Sequence, residues 1–267
     1  MREHSPQMLE DDFTYVLRKA LLGNGLAPAE AAVRADLPET AVLAFLRGSF
    51  SRDVALRIAP VLGLNREAFA ALPEYQPRAC EFAPIERVEL PFEDGDVNAW
   101  LIRHAGSIVL IDAGFRPDDL LQELQRRCGR LPDRVFITHG HRDHIGAMRN
   151  LLGASIPVHG VDLDGTIAMK PNDAVFCGSL TIRACDLSGH YTPTLGYHIE
   201  GLGKPVLATG DALFAGSIGG CGSPAIYQLA LRRIREVMTG LPGQTILLPG
   251  HGPATTMGEE RISNPFL

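Results

Sequence analysis

Residues Arg134 to Thr138 read as a short strand, and the chain then runs directly into His139, Gly140, His141, Arg142, Asp143 and His144. Four side chains able to hold a metal thus fall within six positions at a strand end. Buried imidazoles and carboxylates are costly unless each is hydrogen-bonded, paired or ligated, so core packing does not account for this run. Dense sets of nitrogen and oxygen ligands of this kind suit a metal. Three later segments add the same chemistry: Gly189-His190, Thr209-Gly210-Asp211 and Pro249-Gly250-His251-Gly252. Each places one ligand type just after an expected strand or in a glycine-flanked turn, where glycine lets the backbone bend sharply and aim the side chain into a cleft. Singly, His190, Asp211 and His251 would be ordinary polar residues. In this order they make a set.

The remaining composition bounds the setting. The chain has 267 residues, 45% of them hydrophobic, enough for one large domain or two smaller ones and unlike collagen-like, disordered or disulfide-scaffold classes. Its 25 Lys and Arg against 31 Asp and Glu give a net charge of −6, which offers nucleic acid or an anionic membrane no overall attraction. Five cysteines, at positions 80, 128, 177, 185 and 221, are odd in number and form no CxxC, as expected of reduced thiols in a cytosol. Residues 1–12 lack the pattern of a signal peptide, and no apolar run approaches the roughly 18 residues of a membrane span. The expectation is a cytoplasmic protein without a membrane partner.

Two textures divide the chain. Before Pro73, short amphipathic segments rich in Ala, Leu and Arg are separated by helix-ending signals at Gly23 to Gly25, Asp36 to Pro38, Gly48 and Gly63. We expect a small helical domain over 1–77, a linker over 78–84 and a catalytic domain over 85–267. In the last, strands are expected at Val97 to Arg103, Ser107 to Asp112, Pro157 to His159, Leu180 to Asp186, Leu195 to Glu200, Pro205 to Thr209 and Thr245 to Leu248. Helices are expected from Pro117 to Cys128 and from Pro224 to Thr239, each led by proline. Strands mixed with helices point to a layered sheet covered by helices.

With the ligand series assembled, the sequence resembles the metallo-β-lactamase superfamily, whose pattern is HxHxDH, a downstream His, a bridging Asp and a final His. The resemblance spans about residues 85–267. It is closest to short glyoxalase II-like (hydroxyacylglutathione hydrolase-like) hydrolases, through Thr209 to Gly219, Pro249 to Pro253 and Asn264-Pro265-Phe266-Leu267. It implies an α+β class, a four-layer αββα fold preceded by a small all-α domain. It further implies that His139, His141 and His190 hold one metal, that Asp143, His144 and His251 hold a second, and that Asp211 bridges them. Asp112, in Ile111-Asp112-Ala113-Gly114, would support the metal site without binding metal directly. Ligands without cysteine suit two divalent ions, zinc first and iron or manganese as alternatives. Such a pair would share a hydroxide at a pKa of about 7, and the resemblance implies that it hydrolyses a thioester such as an acyl-glutathione, with Asp143 and Asp211 in catalytic roles. The segments Tyr191-Thr192-Pro193-Thr194 and Gly220-Cys221 depart from the relatives' usual strings, so Tyr191 and Cys221 are read either as pocket-lining or as packed residues. Arg116 and Arg142 are candidates to attract a substrate carboxylate.

Residues Gly25 to Leu72 resemble a repressor-type helix-turn-helix domain, with Pro38 to Arg47 as the helix that would enter the major groove. That helix carries Glu39 and Thr40 but no Asn, Gln or Lys to read base edges. Residues 1–78 hold nine Lys or Arg against ten Asp or Glu, too little positive charge for phosphate contacts. The expectation is therefore no nucleic-acid partner, and a helical module that forms a homodimer or covers part of the catalytic domain. Two other readings stand beside the thioesterase: a mononuclear-iron persulfide dioxygenase on the same fold, and a metal-dependent DNA-binding sensor.

Overall fold

The computed structural model describes residues 8–78 and 82–267; His4 and Cys80 lie outside them. Five helices come first: α1 (Phe13–Asn24), α2 (Pro28–Arg34), α3 (Glu39–Leu46), α4 (Arg52–Val61) and α5 (Arg66–Ala71). Local chemistry sets their ends. Asp12 caps α1 by accepting from the amides of Thr14 at 2.8 Å and Tyr15 at 3.1 Å, and left-handed Gly25 closes it. Ser51 and Asn65 cap α4 and α5 in the same way.

Two six-stranded sheets follow. The first has β1 (Ile85–Phe92), β2 (Gly95–His104), β3 (Ser107–Ile111), β4 (Arg134–Ile137), β5 (Val158–Gly160) and β6 (Ile167–Ala168) in sequential order. Its β1 to β3 are antiparallel and β3 to β6 parallel. Between these strands lie α6 (Pro117–Cys128), α7 (Arg142–Ile145) and α8 (Met148–Gly153). The second sheet uses β7 (Ala174–Cys177), β8 (Leu180–Asp186), β9 (Leu195–Glu200), β10 (Val206–Gly210), β13 (Ile246–Pro249) and β14 (Thr255–Thr256), in the order β14-β13-β10-β9-β8-β7. A small hairpin of β11 (Leu213–Phe214) and β12 (Ser217–Ile218), then α9 (Pro224–Thr239) and α10 (Met257–Ser263), complete the chain.

Strand alternation builds the layers. Trp100 and Ile102 face the second sheet and meet Tyr197, Val206, Ala208, Ile246 and Leu248. Ala99 and Leu101, one residue off, face outward and pack with Leu120 and Leu124 of α6 and Leu151 of α8. On the far side of the second sheet, Leu207 and Leu247 meet Tyr227 and Ile234 of α9. The result is helix, sheet, sheet, helix, the four-layer arrangement expected.

One apolar cluster extends beyond that sandwich. Val16, Leu17, Phe45, Ile58 and Phe69 of the N-terminal helices share it with α9, Met257 of α10 and Phe266. The stretch after α5 is tied down as well: Tyr75 Oη donates to Glu260 of α10 at 2.7 Å, and the Arg78 amide donates to Glu259 at 3.0 Å. Strand β1 was not expected from the sequence; Pro91 and alternating charges mask it, and both are tolerated because β1 is an edge strand. Among the described residues no helix is long and apolar enough to cross a membrane.

Candidate metal centre

The sheet topology delivers the ligand-type residues to one end of the sandwich. Asp112 follows β3 and His139 follows β4, which are parallel neighbours in the first sheet. Asp211 follows β10 and His251 follows β13, parallel neighbours in the second. Side chains emerging from the carboxyl ends of two facing parallel pairs necessarily meet. The loop after β4 contributes His141 and then turns at once into α7, whose single turn carries Asp143 and His144; His190 comes from the loop after β8.

The seven residues form two groups that share one carboxylate: His139, His141, His190 and Asp211, and Asp143, His144, Asp211 and His251. In each group the candidate ligand atoms lie within 4.8 Å of one another. In the first, His141 Nδ1 stands 3.0 Å from His139 Nε2 and 3.1 Å from His190 Nε2. In the second, Nε2 of His251 is 3.3 Å from Asp143 Oδ2, and Nε2 of His144 is 3.6 Å from the same atom. Asp211 reaches both: its Oδ2 is 3.7 Å from His139 and 3.6 Å from His190, while its Oδ1 is 3.3 Å from His144. Two glycines make room for this. A Cβ on Gly250 would stand 2.1 Å from Asp211 Oδ1, and one on Gly219 would stand 2.0 Å from the Asp211 carbonyl and 2.7 Å from His190 Cβ.

Hydrogen bonds behind the ring select which nitrogen faces the centre. His144 Nδ1 donates to Asp112 Oδ2 at 2.8 Å, His190 Nδ1 to the Gly220 carbonyl at 2.7 Å, and His251 Nδ1 to the Asp96 carbonyl at 2.8 Å. His139 Nδ1 lies 3.0 Å from Thr138 Oγ1, which itself donates to Asp112. Each bond places the retained proton on Nδ1 and leaves Nε2 as the nitrogen that a metal would take. Asp112 also accepts from the Thr138 amide at 2.8 Å and holds a left-handed backbone, φ 60°.

These residues fit a pair of cations. His144 Nε2 and Asp211 Oδ1 are buried yet make no hydrogen bond within the protein, a costly arrangement that a metal between them relieves. The nitrogen spacings of the first group match the roughly 3.3 Å edge of a tetrahedral shell with bonds of about 2 Å. The electrostatics agree. Although burial opposes it, the imidazoles of His144 and His251 hold the Asp211 carboxyl well below its ordinary value. Burial would lower His251, yet the Asp143 and Asp211 carboxylates raise it to about 10, so this group draws positive charge to itself. Burial and the neighbouring His144 push His139 well below its ordinary value, keeping it in the neutral form that ligates.

The surroundings decide several open readings. Tyr191, half-buried, packs edge-on against His141 with ring centres 4.7 Å apart and tilted against His139 at 5.6 Å, and so walls the centre. Cys221 is buried in the apolar cluster behind it. The other described cysteines are free as well. Arg142 pairs with Glu93 and lies over Phe92 and Phe115, and Arg116 binds Asp119 at 2.9 Å, so both guanidiniums already have carboxylate partners. The backbone acceptors of Asp96 and Gly220 left no trace in residue types. The hydroxyl of Thr138 and the carboxylate of Glu10, 3.9 Å from His251 Nδ1, carried no motif.

The family model described as Metallo-beta-lactamase superfamily matches residues 93–182. The hydroxyacylglutathione hydrolase GloC of Haemophilus influenzae is 30% identical over 185 residues, which cover 59% of this chain and 86% of the relative. Among solved structures, the BLEG-1 B3 metallo-beta-lactamase aligns with a TM-score of 0.56 and 25% identity over 68% of this chain and 99% of its own. TTHA1623, solved in a di-iron-bound form, aligns with a TM-score of 0.55 and 27% identity over 67% of this chain and all of its own.

Proposed function

Because the chain belongs to the metallo-β-lactamase superfamily, we propose that it is a dinuclear metal hydrolase of glyoxalase II type, cleaving a thioester such as an acyl-glutathione. The observation that carries this reading is the Asp211 carboxylate, standing between two complete groups of ligand atoms. The rival mononuclear-iron persulfide dioxygenase has the same ligand series, so metal content and oxygen consumption with glutathione persulfide separate the two readings. The likeness to a hydroxyacylglutathione hydrolase supports the thioester as substrate, and the all-nitrogen-and-oxygen donor set supports zinc.

His139, His141, His190 and Asp211 would hold one ion, and Asp143, His144, Asp211 and His251 the other. Bound there, two divalent cations supply a water whose pKa falls to about 7 and a Lewis acid for the thioester carbonyl. The protein's own part is placement. Asp112, Gly220 and Asp96 hold three imidazoles in fixed tautomers, so little reorganisation accompanies the reaction. The Asp143 carboxylate would help hold one ion and orient the attacking water. Tyr191 closes one side of the cleft over His139 and His141. Water adds across the C–S bond, giving a carboxylic acid and a free thiol.

Hydrolysis of S-lactoylglutathione by the purified protein, followed with and without a chelator and alongside elemental analysis, tests the reading. We expect two metal equivalents per chain and activity that disappears on chelation and returns with Zn²⁺. Full activity in metal-free protein would overturn it.

A further inference from the structure

We propose that Lys19, on α1, is a positioning residue for the metal centre: it fixes the segment 217–220 and, through it, the ring of His190. This rests on the metal-centre reading above and adds a part of the chain that lies outside the family-model match.

The ammonium of Lys19 is largely buried, 18% exposed, and its partner Asp11 is 6% exposed. Nζ donates to Asp11 and, at 2.8 Å, to the carbonyl of Ile218, while Ser217 Oγ donates to the same Asp11 oxygen. Nζ also lies 5.3 Å from the centre of the Phe214 ring. One cation thus binds both strands of the β11–β12 hairpin to the N-terminal helices. The segment leaving that hairpin is the one that touches the centre. Gly219 leaves no space for a Cβ against His190 and the Asp211 carbonyl, and Gly220 supplies the carbonyl that accepts from His190 Nδ1.

A backbone carbonyl orients an imidazole only as well as its own segment is held. β11 and β12 have two residues each, so their own ladder is short, and the link to Lys19 and Asp11 supplies rigidity from outside. A buried ion pair is a poor source of net stability, because desolvation offsets most of its Coulomb energy. Its value here is directional: Lys19 has hydrogens to spend on both a carboxylate and the Ile218 carbonyl. On the opposite rim the same segment of chain touches the second group, with Glu10 beside Gly252 and His251. Residues 10–19 therefore brace both sides of the centre, and Lys19 carries the bond on the His190 side.

The test is a Zn²⁺ titration of the full-length, metal-stripped protein against a chromophoric chelator, with ¹⁵N NMR of the imidazoles assigning each equivalent. In Lys19→Met, one equivalent, that of His139, His141 and His190, should weaken about 10- to 100-fold, the range for loss of an orienting partner, while the other holds. Val42→Ala, which thins the N-terminal core away from the hairpin, should lower the melting temperature and leave both affinities intact. Should Lys19→Met fail to fold, Ser217→Ala removes the second bond to Asp11 and should weaken the same equivalent by a smaller factor. Unchanged affinities in the variant that folds, equal weakening of both equivalents, or the same pattern in Val42→Ala overturns the proposal. A wild-type chain that binds no zinc removes the metal-centre reading itself, whereas two wild-type equivalents untouched by the Lys19 and Ser217 variants remove only this inference.

Discussion

Asp112 shows how much a single carboxylate decides. It accepts from the Thr138 amide and hydroxyl on one side and from His144 Nδ1 on the other. Asn tolerates the same left-handed backbone, so Asp112→Asn should fold. With its oxygen toward the Thr138 amide, the new NH₂ group faces a ring nitrogen that was donating, and the His144 proton must move to Nε2, the atom aimed at the centre. We expect about 10- to 100-fold weaker binding of the metal held by Asp143, His144 and His251, read by chelator competition, with the urea midpoint of the metal-free protein little changed. At this scale the candidate ligands were legible because their side chains carry the chemistry and fall beside strand ends. The groups that orient them were legible only where they too are side chains, as with Asp112. Backbone carbonyls such as those of Asp96 and Gly220 exist at every residue, and Lys19, which donates to the Ile218 carbonyl, sits on α1, far along the sequence from that hairpin.

Among the elements, α10 is tied to several others by polar contacts. Its Glu260 is fully buried and accepts from Tyr75, Thr255, Asn264 and the Gly216 amide, joining the stretch after α5, β14, the β11–β12 hairpin and the carboxyl end of α10 itself. Burial nonetheless holds its carboxyl above the usual value of 4.5, the hydrogen bonds only partly opposing it. A carboxyl raised on folding adds stability that is fully present below its unfolded pKa and fades as pH rises through its folded one. The stability advantage of the wild type over Glu260→Gln should therefore shrink as pH rises above 4.5, measured by urea unfolding in a pH series; a constant difference would contradict this account. Helices α6 and α9 follow the sequence residue for residue, because proline starts both, a left-handed glycine stops α6, and each has one apolar face. The short strands β6, β7, β11 and β12 had no such signal: two to four residues cannot display a period, and their existence depends on partners elsewhere in the sheet.

Across the whole molecule, the cluster that joins the N-terminal helices to α9, α10 and Phe266 argues for shared stability. Trp100, the single tryptophan, is buried between the sheets and donates to the Pro249 carbonyl at 2.8 Å, so its fluorescence reports the sandwich. Urea unfolding followed by Trp100 emission and by helical circular dichroism should give coincident transitions; a separate early loss of helix would mean that residues 13–71 unfold alone. A layered sheet covered by helices was legible from the strands and proline-led helices, and its four-layer form from the family resemblance, but the depth of this junction was not, since an apolar helix face looks the same whether its partner is another helix of the same group or one far along the chain. That junction also has a consequence for synthesis. The N-terminal helices are made before either sheet, while α9, which shares their apolar cluster, emerges only after the first sheet and four strands of the second, and α10 and Phe266 emerge after both. Until then the nascent chain carries Leu17, Phe45 and their neighbours without their final cover, so the packing of these helices is completed only when the last elements have been made.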